Sequence, residues 1–252
     1  QNLLTQAGFQ SFFIEKSLPE LEMYPKRLQR LMARTNADAW VVVVGSRQVL
    51  EWFIAQGVPA LALFGRRRGL PIASAGPDKT AAYQEVVRRL VRYGHRRVVL
   101  LARRARRLPV PGKIEQAFLD ELSGLGVPAG AYNLPDWEET CEGFHGCLDA
   151  LFAITPPTAM IVDEAPLFFA AQQFLMNRGL RVPADVSMVC TDAEPTFHWC
   201  RPSVAHIWWE TGPVLRRIVR WARNVSEGRI DRRQRFTPAV FVDGGTIGPV
   251  KR

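Results

Sequence analysis

The sequence predicts an α/β chain of two doubly wound parallel-sheet lobes in tandem, and three observations carry that expectation. Short runs of β-branched and apolar residues recur, each bounded by Gly, Pro or Asp, and such runs read as strands buried on both faces. Amphipathic stretches of helical period alternate with them, which is the order of right-handed βα units. At 252 residues with 47% hydrophobic content, the chain can bury a substantial core in one large domain or two lobes.

Taken in order, residues 9–15 (FQSFFIE) read as a strand, 24–34 as a helix, 39–45 (AWVVVVG) as a strand, 47–56 as a helix and 60–65 (ALALFG) as a strand. Asp78 is a suitable helix N-cap ahead of KTAAYQEVVRRLVRY, and Gly94 closes that helix before the strand RRVVLLA. The Pro-rich segment 106–112 (RRLPVPG) interrupts the rhythm and reads as a crossing between lobes. Beyond it the alternation resumes with helix 113–125, strand 130–134, helix 138–154, strand 159–163, helix 166–178 and strand 186–192.

Composition narrows the function classes. No run of about 18 apolar residues occurs, so neither a membrane span nor a membrane partner is expected. The N-terminal QNLLTQAGFQ has neither the basic nor the apolar region of a signal peptide. Cys141, Cys147, Cys190 and Cys200 lack CxxC spacing and the density of a disulfide scaffold, which points to reduced, packed thiols and a cytoplasmic setting.

The net charge of +9 gathers in three clusters: Arg66, Arg67 and Arg68; Arg103, Arg104, Arg106 and Arg107; and Arg232, Arg233 and Arg235. With little aromatic interleaving, they read as solvated surface or subunit contacts ahead of direct nucleic-acid contact. His95, His145, His198 and His206 show no metal-ligand spacing, and no Walker, GxSxG, HExxH or GxGxxG pattern occurs. No enzymatic activity, cofactor or metal is therefore expected.

In open parallel sheets, ligands bind beyond the carboxyl ends of the strands. The polar residues where strands end are thus the candidates: Ser46 and Arg47 after WVVVVG, Asp163 and Glu164 after TAMIV, and Asp192 with Trp199 on the loop after SMVCT. Asp163, Glu164 and Asp192 could also supply a carboxylate pair for glycoside cleavage, although strand-end carboxylates serve recognition as naturally.

The blocks GHRRVVLL (94–101), PTAMIVDE (157–164), GLRVPADVSMVCTD (179–192) and RPSVAHI (201–207) resemble the effector-binding core of the lac repressor and gal repressor family. The resemblance extends over nearly the whole chain, and the third block is the most specific. It implies the periplasmic-binding-protein-like type I fold, two lobes joined by a three-crossing hinge. On that pattern residues 1–105 and 209–236 form the N-terminal lobe, and 106–208 and 237–252 the C-terminal lobe. The family carries one more strand ahead of LLTQAG, and a DNA-binding head before that, so a head is expected upstream of Gln1.

The same resemblance assigns roles. Asp192 matches an Asp that accepts hydrogen bonds from sugar hydroxyls, and Trp137 a position where an aromatic lies against a sugar ring. Packing under its loop is the other reading of Trp137. Where the family has an Arg ahead of a GF pair, this chain has Ile114 ahead of Ala117 and Phe118; where its strand ends Asn-Asp, Glu164 and Ala165 stand. Trp208, Trp209 and Glu210 occupy the third crossing, and one of the two tryptophans must face away if they lie on a strand.

The function implied is a ligand-sensing domain of a bacterial-type transcription regulator. It would bind a small polyhydroxylated effector, a sugar, in the interlobe cleft, and act as a homodimer on operator DNA through the upstream head. The pattern is most similar to xylose-operon-type regulators, which suggests a pentose, while Arg47 and Arg66 would favour an acidic ligand. The solute-binding component of a sugar transporter shares the fold and stays open, as does a ligand-independent dimerisation domain.

Overall fold

The computed structural model describes residues 2–18 and 20–251. In chain order its elements begin with α1 (Asn2–Gln6), α2 (Pro25–Met32), β1 (Trp40–Val43), α3 (Arg47–Gln56), β2 (Ala60–Leu63) and β3 (Ala73–Asp78). Next come α4 (Thr80–Arg92), β4 (Val98–Leu101), α5 (Arg104–Arg107), α6 (Lys113–Gly124), α7 (Cys141–Ile154) and β5 (Ala159–Val162). The last are α8 (Ala165–Asn177), β6 (Ser187–Cys190), β7 (Ala205–Trp209), α9 (Thr211–Ser226) and β8 (Gln234–Val242), with a 3-10 turn at Pro195–Trp199 between β6 and β7. Among the described residues no helix is long and apolar enough to cross a membrane.

The chain forms two compact units, Gln1–Asp78 with Glu210–Pro238, and Lys79–Trp209 with Ala239–Arg252. In the first, β1, β2, β3 and the start of β8 pair in parallel, with Trp40 opposite Ala60, Leu61 opposite Ala73 and Ser74 opposite Gln234. Helix α3 begins where the Ser46 side chain accepts from the Val49 backbone N–H at 3.3 Å, and ends at Gly57 in the left-handed region. Its Val49, Leu50 and Phe53 pack with Leu28 and Val42 into the core. Gly65, at φ +76°, admits no side chain, because a Cβ would stand 2.5 Å from the Gly45 carbonyl oxygen.

In the second unit β4, β5, β6 and β7 pair in parallel, and the end of β8 runs antiparallel to β7. Every residue of β4, β5 and β6 is buried, as a sheet covered on both faces requires. The two-residue period divides β4 between two cores. Val98 and Leu100 join Tyr83, Val86 and Leu90 of α4 and Phe118 and Leu122 of α6. Val99 and Leu101 join Phe144 and Leu148 of α7 and Phe168 and Leu175 of α8.

Several sequence expectations are corrected. Residues 9–15 form no strand, with Phe12 and Phe13 exposed; an extended segment becomes a strand only where its backbone finds a neighbour. Residues 130–134 make a turn, in which the Asn133 carbonyl accepts from the Leu100 N–H at 2.7 Å and the Asn133 amide donates to the Val98 carbonyl at 2.8 Å. Asp78 ends β3 instead of capping α4, and Lys79 takes the cap position. In β1, Val41 and Val43 are exposed while Val42 is buried, so this outermost strand is not covered on both faces. The Pro-rich 106–112 lies inside the second unit, and the chain first passes between units at 78/79.

Candidate functional site

The carboxyl ends of β4, β5 and β6 bring three expected residues together. Asp163 follows β5 and is buried; its Oδ1 accepts from the Thr191 hydroxyl at 2.7 Å and from Arg106 at 2.6 Å, and its Oδ2 from the Arg103 backbone N–H at 3.3 Å. Burial would raise the Asp163 carboxyl, but the Arg106 guanidinium and the Thr191 hydroxyl outweigh it and hold the group below the usual carboxylate range. Asp163 is therefore held as an anion by its partners.

Glu164 sits at φ 63°, ψ 148°, a region nearly reserved for glycine. Its backbone N–H reaches the Thr191 hydroxyl at 3.4 Å, and its side chain takes a two-nitrogen contact from Arg103 at 2.7 and 3.2 Å. Asp192, past β6, pairs through Oδ1 with the Lys79 ammonium, which also donates to the Thr191 carbonyl at 2.7 Å. The Asp192 side chain is 38% exposed and that of Lys79 9%. A buried cation thus anchors a carboxylate that remains open to solvent.

Beneath them Arg106 ties the cluster to two further helices, donating to Glu115 at 2.8 Å and to the Tyr83 hydroxyl at 3.3 Å. Arg106 and Arg107 are consequently not solvated surface, as the charge clustering suggested. Each is drawn inward by local acceptors: Asp163 and Glu115 for Arg106, and Asp136 with the Ala102 and Trp137 carbonyls for Arg107. Where the related pattern has an arginine on the helix, Ile114 stands, and the guanidinium groups in this cluster come from Arg106 of α5 and from Arg103 just before it.

The other expected residues have their own surroundings within each unit. Trp137 is only 6% exposed, edge-on to Phe144 at 5.1 Å, with the Arg107 guanidinium 5.3 Å from its ring centroid. Trp199 is highly exposed at the end of the 3-10 turn. Trp208 points to solvent, while Trp209 packs against the core, as alternation on a strand requires. In the first unit, Glu210 precedes α9 and is exposed, Ser46 caps α3, and Arg47 pairs with Glu51 at 2.8 Å.

Lys79, Tyr83, Arg103, Arg106, Glu115 and Thr191 belong to the cluster and were not anticipated. The usable signal was an arginine run within a segment that follows a strand end, opposite two strand-end carboxylates. All four cysteines are free, and burial pushes the Cys190 thiol up to about 12.

A family model described as the periplasmic binding protein-like domain matches residues 87–247. The chain belongs to that family. Among its relatives, the HTH-type transcriptional regulator MalR of Streptomyces coelicolor is 29% identical over 180 residues, covering 70% of this chain and 50% of that protein. The chain thus spans half the length of the curated relative it matches.

Solved structures show how far the periplasmic-binding-protein-like fold extends. A dimeric lac repressor with a C-terminal deletion superimposes with a TM-score of 0.76 at 19% identity, covering 98% of this chain and 91% of that one. A complex of the transcriptional regulator CelR with cellobiose gives 0.79 at 19% identity, covering 97% and 76%. A LacI family transcriptional regulator from Enterococcus faecium with bound ribose gives 0.73 at 16% identity, covering 99% and 91%.

Proposed function

We propose that the chain is the effector-sensing part of a transcription regulator and takes a small polyhydroxylated ligand, a sugar, at the carboxyl ends of β4, β5 and β6. The observation that carries the reading is Asp192, a solvent-open carboxylate held in place by the buried Lys79 at the end of a buried parallel strand. An ionised carboxylate accepts several hydroxyl hydrogen bonds and so suits a polyol. The relatives add support, since solved proteins of this fold hold cellobiose and ribose and the curated relative is an HTH-type regulator. The whole protein would then work in the cytoplasm as a homodimer on operator DNA, through a DNA-binding head outside this chain. Within the sugars, the narrower reading is a pentose.

A second reading is favoured by one specific fact: Asp163, Glu164 and Asp192 already pair with Arg106, Arg103 and Lys79. On that reading the cluster is structural and the domain serves dimerisation alone. Thermal unfolding against pentoses, hexoses, disaccharides, sugar acids, purines and amino acids separates the two. A ligand at 100 times its dissociation constant adds about 2.7 kcal/mol of stability, and Asp192→Ala should abolish the shift while keeping the fold. A sugar-induced shift that survives Asp192→Ala removes Asp192 from the site, and no shift with any compound favours the dimerisation reading.

A further inference from the structure

The third arginine cluster is exposed, and Arg233 and Arg235 of it rim a concavity. In the first unit, α9 and the segment running into β8 flank a solvent-open concavity of ≈ 240 Å³. Arg216 and Arg220 enter it from α9, where the i,i+4 spacing sets them on one face. Arg233, Arg235 and Thr237 line it from the extended segment, where the i,i+2 spacing sets them on one side. Among the described residues, none of these four arginines forms an ion pair.

Asp231 is the single carboxylate among the described residues of the wall, and its acceptor capacity is used up. Arg217 grips it at 2.8 and 2.9 Å, the Asn224 amide donates to it at 2.7 Å, and the Arg233 backbone N–H donates at 3.0 Å. Four donors occupy the roughly four lone-pair positions of a carboxylate. Burial would raise the Asp231 carboxyl, yet the Arg217 contact holds it lower and charged. The other four guanidinium groups therefore face one concavity with no anion to balance them.

Like charges around a concave wall focus a positive potential that attracts anions, and the guanidinium fork matches phosphate oxygens in pairs. The wall also carries apolar residues. Phe236 is half exposed and backed by the Arg67 guanidinium 4.8 Å from its ring centroid, with Pro213 and Val214 beside it. Such a wall suits a carbon skeleton attached to a phosphate. A concavity of ≈ 240 Å³ has the size of a small molecule, whereas a nucleic-acid duplex asks for an extended stripe of charge.

We propose that this cavity binds a small phosphorylated metabolite, its phosphate held by Arg216, Arg220, Arg233 and Arg235 and its carbon body lying against Phe236. The site shares no residue with the strand-end cluster of the second unit, and the proposal stands independently of the sugar-sensing reading.

The test is calorimetric titration of the whole chain with ribose 5-phosphate, pyrophosphate and inorganic phosphate at matched ionic strength. Saturable binding of ribose 5-phosphate at one site per chain is expected, tighter than inorganic phosphate and undisturbed by excess free ribose. Arg220→Gln with Arg235→Gln should weaken it by at least about tenfold, since each lost charge-assisted hydrogen bond is worth about that factor. Arg235→Gln alone should weaken it less. Arg232→Gln, exposed and outside the wall, should leave it unchanged.

Four results overturn the proposal: no saturable binding of the ester, equal affinity in the double variant, displacement by free ribose, or an equal loss in Arg232→Gln. Binding of duplex DNA that is lost in the double variant, with no ester bound, also overturns it and makes the arginines a nucleic-acid contact.

Discussion

The Arg106 guanidinium donates to the Asp163 carboxylate at 2.6 Å inside the second unit, and Glu115 closes on the same guanidinium at 2.8 Å. Removing one partner of such a pair leaves a buried charge uncompensated, which costs about 3–5 kcal/mol. Asp163→Ala should therefore lower the urea unfolding free energy of the chain by about that amount. A loss below about 1 kcal/mol would mean that the cluster is solvated and that Arg106 is free to leave it.

His95 supplies a pH dependence of determinate sign. Its Nε2 donates to the Gly248 carbonyl, which can only accept, at 2.9 Å, and its Nδ1 meets the Thr158 hydroxyl at 3.0 Å. Burial holds its pKa below the ordinary 6.5. The unfolded chain thus takes up a proton first as pH falls through 6.5, so stability contributed by neutral His95 is present above that value and lost below it. Urea midpoints at pH 8 and pH 5 should fall more for the natural chain than for His95→Gln; parallel curves would show that His95 titrates alike in both states.

Glu164 combines a strained backbone with an ion pair, and two substitutions separate them. Glu164→Ala removes the Arg103 contact and keeps the strain of φ 63°, whereas Glu164→Gly removes both. Residues other than glycine in such a conformation cost about 1–3 kcal/mol. The glycine variant should be the more stable of the two by about that margin in chemical unfolding, and equal stabilities would show that the backbone relaxes.

How much of this was legible follows from where each partner lies along the chain. Strands β4, β5 and β6 read directly from the sequence because sheets covered on both faces demand continuous apolar runs. Strand β3, ASAGPD, carries Gly76 and Pro77, which break any apolar run; its ladder comes from β2 and from β8, far along the chain. Asp163 and Asp192 could be located from strand ends alone. Lys79 and Arg106 could not, since their carboxylate partners stand 113 and 57 residues away. Local pattern identifies a group at the end of a strand, whereas the cation that meets it depends on tertiary packing.

Trp137 is the residue for which resemblance and packing lead to different expectations. An aromatic platform for a sugar ring must offer an open face, and Trp137 is 6% exposed, held between Phe144 and Arg107. Its indole N–H is buried with no hydrogen-bond partner among the described residues. Trp137→Phe therefore keeps an aromatic body and deletes a donor whose burial unpaired costs about 1–3 kcal/mol, which offsets the lost volume. Trp137→Ala opens a cavity and should cost about 3–5 kcal/mol. In chemical unfolding the alanine variant should fall by that amount while the phenylalanine variant stays within about 1 kcal/mol of the natural chain. Sugar affinity, once a ligand is found, should be unchanged in Trp137→Phe. A large loss of affinity in that variant, at unchanged stability, would place Trp137 in the ligand site and require its side chain to swing out of the core.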